Sequence, residues 1–180
     1  KGVIMKKIKL RKITDEDIEL LTSWLNKKYI KKWYNEPEDW LTEINGRHTE
    51  YSWINHFIVM NDEKSIGFCQ YYDCFDAKDF EDWYSVDTAG KMYSIDYLIG
   101  NEDYLGKGYG KLIVKELTEL ISSKENAQII VVQPDTGNTA SNNVLISNGY
   151  TLDQEKQYYY KNLSRLVKKT ITVSEHWENI

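Results

Sequence analysis

Apolar and polar positions alternate along this chain in short blocks of two different periods. Ile8, Leu10 and Ile13 punctuate a basic run from Lys6 to Lys12, which predicts a first strand over Ile8–Ile13 with its charges on a solvent face. Thr14 then precedes Asp15, Glu16 and Asp17, an N-cap followed by acidic residues in a first turn. Ile18, Leu21, Trp24 and Leu25 follow at helical spacing, so a helix is predicted to about Asn26. Tyr29–Trp33 predicts a short helical turn, Pro37 redirects the chain, and Asp39–Trp53 predicts partial helix. His56–Met60 and Ser65–Tyr72 are β-prone runs on either side of the polar turn Asn61–Lys64, a hairpin pattern. Lys91–Ile99 is a third β-prone run. After it come a glycine cluster, an amphipathic helix over Gly108–Ser123 and a strand over Gln128–Gln133. A helix over Thr139–Asn148 stops at Gly149, a left-handed cap, and Tyr150–Leu152 and Gln157–Tyr160 predict the last strands. This order predicts an α/β fold over residues 1–180, one domain with a mixed twisted sheet and helices on its faces. Met5 is a candidate natural start, with Lys1–Ile4 appended or upstream sequence, and Ser164–Ile180 reads as a weakly patterned tail.

The stretch Asp73–Asp87 breaks the pattern. It holds Asp73, Asp76, Asp79, Glu81, Asp82 and Asp87 against Lys78 alone, and is read as an irregular acidic insertion, either a solvated loop or a substrate-facing one. The whole chain carries a net charge of −5. With no long basic stripe, that balance argues against a nucleic-acid partner and is compatible with a cationic substrate. No run of about 18 apolar residues predicts a membrane span. Cys69 and Cys74 are too few for a disulfide framework and have no metal-ligand spacing, and His48, His56 and His176 form no constellation. The expectation is therefore a cytoplasmic protein, monomer or homodimer, with no metal.

The chemistry is concentrated in Leu105-Gly106-Lys107-Gly108-Tyr109-Gly110-Lys111, between a predicted strand and a predicted helix. Alternate glycines let the backbone turn tightly and approach a ligand, and the helix start offers unpaired N–H groups and a positive dipole end. That is a pyrophosphate cradle to which Lys107 or Lys111 can add charge; a plain glycine turn before a helix has the same composition. The spacing is not that of a P-loop, and the position past mid-chain is wrong for a dinucleotide-binding loop.

In these residues the chain resembles the GNAT superfamily, whose acyl-coenzyme A loop has the form Arg/Gln-x-x-Gly-x-Gly/Ala, with Leu105 here replacing the usual Arg or Gln. It is more narrowly similar to the aminoglycoside 6′-N-acetyltransferases in Leu10-Arg11, Trp24-Leu25-Asn26, Trp33-Tyr34, Ile66-Gly67-Phe68-Cys69-Gln70 and Ile95-Asp96. The resemblance implies the GNAT fold, a mostly antiparallel twisted sheet flanked by helices. It implies acetyl-CoA as cosubstrate, held by Leu98, by Leu105 to Lys111 and by Asn138, and a polycationic small-molecule amine as acceptor, the type of reaction that gives antibiotic resistance. Asp96 matches the aspartate that faces the acceptor amine, where a carboxylate can take the proton an ammonium must lose before it attacks; a structural aspartate is the plainer reading. With period-two alternation, Asp96 shares a face with Ser94 and Leu98, opposite Ile95, Tyr97 and Ile99. Trp33, Tyr34, Trp83 and Tyr84 are candidate acceptor-pocket walls, and Glu81, Asp82 and Asp87 candidate partners for amino groups; a surface loop with packed aromatics fits them as well.

Three further positions depart from the resemblance. Gln133-Pro134 stands where an Asp-Pro is usual, so the acceptor site has an amide in place of a carboxylate. Asn138-Thr139-Ala140-Ser141 keeps the Asn and loses an Arg. Leu145 replaces the tyrosine proposed to protonate the departing thiolate, which leaves unassisted release, another residue, or weakened activity. Acetylation of a peptide or protein amine, and a catalytically impaired coenzyme A-binding protein, are the alternatives to aminosugar acetylation.

Overall fold

The computed structural model describes residues 5–81 and 85–163; Lys1–Ile4 and the tail Ser164–Ile180 lie outside them. Seven strands form one sheet in the order β1-β2-β3-β4-β5-β7-β6. They are β1 (Lys9–Lys12), β2 (Ile54–Asn61), β3 (Lys64–Asp73), β4 (Met92–Ile99), β5 (Ile129–Val132), β6 (Thr151–Asp153) and β7 (Tyr158–Asn162). Each neighbouring pair is antiparallel except β4 and β5. Helices α1 (Ile18–Leu25), α2 (Lys28–Tyr34), α3 (Pro37–Asn45), α4 (Cys74–Ala77), α5 (Tyr109–Lys124) and α6 (Thr139–Ser147) complete the fold.

The two faces of the sheet follow from the strand period. Ile58, Phe68 and Leu98 are opposite one another on β2, β3 and β4 and pack with Leu21, Trp24 and Ile44 of α1 and α3. One residue along, Phe57, Cys69 and Tyr97 turn to the other face, where Ile95, Ile113, Leu117 and Leu145 pack beneath α5 and α6. Burial pushes the Cys69 thiol well above its usual range, as suits an inert core residue.

Local chemistry sets the entry to the helices. The Thr14 N–H donates to Asp17 Oδ2 at 2.8 Å, and the Arg11 guanidinium forks onto both oxygens of Asp17 at 2.7 and 2.9 Å. The predicted N-cap therefore opens a 3₁₀ turn over Asp15–Asp17 that leads into α1, and the charged pair joins β1 to it. Pro37 occupies the first turn of α3, where its missing N–H has no intrahelical partner to lose. The stretch from Asp73 is not irregular at its start: Asp73 Oδ1 accepts from the Phe75 N–H at 2.9 Å and caps α4, while Oδ2 accepts from the Gly90 N–H.

Candidate active site

The site begins where the sheet splits. β4 and β5 run parallel for three residue pairs, Met92 with Ile129, Tyr93 with Ile130 and Ser94 with Val131. β5 then ends at Val132, while β4 continues to Ile99 with β3 on its other edge. Backbone groups alternate along a strand, and the Gly100 N–H donates to Ile66 O on the β3 side at 2.9 Å. Residues 97 and 99 therefore turn their backbone groups into the split. Helix α2 covers the carbonyls there: the Tyr34 hydroxyl donates to Tyr97 O and the Tyr29 hydroxyl to Ile99 O at 2.8 Å. The amides of Tyr97 and Ile99 are left facing the cleft, ready to pair with an extended ligand.

A groove of about 370 Å³ leads from this split to the glycine loop. Gly106 and Gly108 have φ of 68° and 83°, and a Cβ added at either would meet nothing within 4 Å. The left-handed backbone explains the glycines, and the open space above them is room for a ligand held by main chain. Gly108 caps the 16-residue α5 without a side chain of its own, so the first-turn amides lie open to that space. These features fit a pyrophosphate. Lys111 lines the groove, whereas Lys107 turns back to donate to Asp103 O at 2.6 Å. Leu105 and Leu98 also line it; Leu98 is buried toward α1–α3, and Leu105 is 40% exposed.

A second cavity, of about 290 Å³, lies beyond the split. Trp33, Tyr34, Tyr97, Asn138 and Ser141 belong to both cavities and form their junction. Asp96 and Glu81 add carboxylates to the second cavity, and the exposed Gln133 lies at its edge, donating to Gln157 O at 3.3 Å. A smaller recess under Trp40 joins Asp96 and Glu81 to Glu43 and Gln70. Gln70 Nε2 donates to Asp96 Oδ2 at 2.9 Å, and the buried Gln70 Oε1 has no hydrogen-bond partner among the described residues. Burial, outweighing the Gln70 bond and reinforced by the Glu81 charge, raises the Asp96 carboxyl to about 6. Burial and the charges of Asp96, Glu81 and Asp39 raise Glu43 to about 7. Asp96 is thus ionised at neutral pH yet basic enough to accept a proton, a tuning found where proton transfer is the task.

The structure thus brings Asp96, Trp33, Tyr34, Glu81, Gln133 and the loop together at one split. Asp87 is exposed, accepts from the Thr88 hydroxyl at 3.1 Å and lines neither of the two main cavities. Asp82, Trp83 and Tyr84 lie outside the described residues. Leu145 is fully buried in the core. Glu43, Trp40, Tyr97 and Ser141 are lining residues that the sequence reading did not single out. Trp40 and Glu43 are three apart on α3 and share one face, a signal that needed only the helix to be recognised.

A family model described as an acetyltransferase (GNAT) domain matches residues 14–158. The aminoglycoside N(6′)-acetyltransferase type 1 of Klebsiella pneumoniae is 27% identical over 137 residues, 73% of this chain and 67% of that protein. Among solved structures, an aminoglycoside acetyltransferase AAC(6′)-Ib in complex with coenzyme A superposes with a TM-score of 0.75 at 21% identity, covering 91% of this chain and 99% of that one. A spermidine N-acetyltransferase from Vibrio cholerae, in complex with coenzyme A and spermine, does so with a TM-score of 0.69 at 15% identity, covering 87% and 96%.

Proposed function

The chain belongs to the GNAT acetyltransferase family and is an acetyl-CoA-dependent N-acetyltransferase, and we propose that its acceptor is a primary amine of an aminoglycoside-like aminosugar. The observation that carries this reading is the junction of the two cavities, where a groove suited to a pyrophosphate-bearing cosubstrate meets a pocket holding Asp96 and Glu81.

Each residue then has a task. The Gly106–Gly110 backbone and the start of α5 hold the pyrophosphate, and the Tyr97 and Ile99 amides pair with the extended arm of the cosubstrate. Acetyl-CoA supplies an activated acyl group when bound. Asp96 orients the acceptor ammonium and takes its proton, directly or through one water, and holding amine and acyl carbon together supplies much of the acceleration. Glu81 and Glu43 extend the negative field away from Asp96, which suits an acceptor with several ammonium groups. Trp33, Tyr34 and Trp40 give sugar rings or cationic carbons flat apolar faces. The relatives named for aminoglycosides support the same acceptor class.

Steady-state turnover of acetyl-CoA with three acceptor panels tests the proposal: aminoglycosides, linear polyamines, and peptides with free amines. At least one aminoglycoside is expected to give the highest kcat/KM. Preference for a polyamine or peptide would overturn the aminosugar reading while leaving the transfer reaction intact. Coenzyme A binding without turnover of any acceptor would mark the chain as catalytically impaired.

A further inference from the structure

Breaking a thioester by amine attack needs two proton transfers. The amine must lose a proton, and the sulfur that departs with the C–S electron pair must gain one, or leave as a thiolate into a half-buried, low-dielectric cleft. Asp96 serves the first transfer. The second needs an O–H, S–H or N–H at the junction that is free to face the sulfur.

The five junction residues offer few choices. The Tyr34 hydroxyl is committed to Tyr97 O. The Asn138 side chain accepts from the Ser141 N–H at 3.1 Å, and an amide does not release protons near neutral pH. The Trp33 indole does not either. Leu145, one turn beyond Ser141 on the same face of α6, is apolar and fully buried. What remains is a pair of hydroxyls: Tyr97 Oη lies 3.0 Å from Ser141 Oγ, and either can donate to the other.

We propose that Tyr97 is the acid that protonates the departing coenzyme A sulfur, with Ser141 as its hydrogen-bond partner and path for proton return. This rests on the N-acetyltransferase reading above. Three further observations support it. Asp96 and Tyr97 are consecutive on β4 and project to opposite faces, so base and acid flank the split from two sides, as the attacking nitrogen and departing sulfur flank the acyl carbon. The Tyr97 ring lies against the start of α5, since a Cβ on Gly110 would be 3.7 Å from its Cε2, which places the phenol beside the cosubstrate groove. Burial pushes the Tyr97 phenol upward while the Ser141 bond pulls it down; the net rise keeps it protonated at neutral pH.

The step balances as follows. The ammonium first passes one proton through Asp96 to solvent; the freed lone pair then forms the N–C bond, and the proton left in surplus on nitrogen passes to Asp96. The C–S bond breaks with its electrons on sulfur, which takes the Tyr97 proton to become the free thiol. Ser141, donating to the Tyr97 oxygen, stabilises the phenolate from the third residue of α6, where the helix dipole favours negative charge. The phenolate recovers its proton through Ser141 and solvent as Asp96 releases its own, so the protein ends as it began.

The test uses Tyr97→Phe and Ser141→Ala, both small enough to leave the fold intact, with calorimetric coenzyme A affinity as the control. The first readout is independent of the acceptor: the pKa of the coenzyme A thiol in the binary complex, followed by thiolate ultraviolet absorbance. The Phe variant is expected to raise it by about one unit by removing a hydrogen bond to sulfur. The second is turnover with the best acceptor, where the Phe variant is expected to lose about 10²-fold in kcat with acceptor KM unchanged, and the Ala variant about 10-fold. Wild-type coenzyme A affinity with an unshifted thiol and unchanged kcat in the Phe variant would overturn the assignment and leave the enzymatic reading standing. Failure of the wild type to bind coenzyme A would overturn both.

Discussion

Replacing Asp96 by Asn removes one charge from the site and keeps its shape. Burial and Glu81 hold this carboxyl at about 6 against an ordinary 3.8, although Gln70 donates to it. At about 1.4 kcal/mol per pH unit, that shift places roughly 3 kcal/mol of cost on the ionised form in the folded protein. A group whose folded pKa lies above its unfolded one supports the fold while protonated. Its contribution is complete below about pH 4 and is lost as pH rises through about 6. The Asn variant has no such loss. Urea titrations are therefore expected to find the two proteins within about 0.5 kcal/mol near pH 4, and the variant about 2–3 kcal/mol more stable near pH 8. Glu43, held at about 7 partly by the Asp96 charge, should titrate lower in the variant and move its own share of the slope to lower pH. In turnover the sign reverses: an amide accepts no proton, so kcat should fall by about 10²-fold or more while acetyl-CoA affinity stays within about two-fold. Wild-type kcat/KM should rise with pH through about 6. A variant less stable than wild type near pH 8, or a gap that does not change with pH, would refute the buried-charge reasoning. Undiminished turnover would refute the role as base.

Gly108→Glu puts a side chain with its own negative charge into the space above the loop, at a φ of 83°, and is expected to lower coenzyme A affinity by about 10²-fold in calorimetry while the protein stays folded. Gly67→Ala would set a Cβ 2.4 Å from Leu98 O, so the β3–β4 pair must shift; a loss of about 3 kcal/mol is expected in urea unfolding, and a change under about 0.5 kcal/mol would refute that contact. Asp17→Ala leaves Arg11 and the Thr14 amide without their carboxylate and is expected to cost about 1–3 kcal/mol at neutral pH, discounted because Arg11 is partly exposed. The Asp17 carboxyl is held below its usual range, chiefly by the Arg11 bond, so that cost should shrink as pH falls through the range where carboxylates protonate.

What the sequence made legible was local. The left-handed glycines at 106 and 108, the start of α5 and the alternation along β4 are each decided within a few residues, so the glycine loop before α5 and the faces of Asp96 and Tyr97 could be read from spacing. The mixed α/β sheet followed from the succession of elements, but the placing of β7 between β5 and β6 did not. The acceptor side was less legible because its contacts cross the chain. Glu43 reaches the recess beside Asp96 only once α3 has folded over β4, and nothing in the spacing of Trp40 and Glu43 says which strand they will meet. Tyr97 and Ser141 stand 44 residues apart. The row His56, Gln70 and Asp96 across β2, β3 and β4 exists only through strand register. The acidic stretch after Asp73 misled in a different way. Its charges suggested an irregular loop, solvated or substrate-facing, yet its first aspartate serves as a helix cap and a brace for the Gly90 amide.

The split between β4 and β5 has a consequence for self-association. A strand whose backbone groups lack a neighbour is a template for any other extended chain, and proteins usually keep such templates at the rim, short or charged. Here one lies in the middle of the sheet, where β5 ends at Val132 and β4 runs on to Ile99. The hydroxyls of Tyr29 and Tyr34 take up the carbonyls of Ile99 and Tyr97, so half of the template's hydrogen-bonding pattern is withdrawn from a would-be partner strand. A small molecule that needs only the two amides still fits; a polypeptide that must match donors and acceptors in alternation does not. Helix α2 is therefore at once a wall of the cleft and a cover over two of the carbonyls that a partner strand would need.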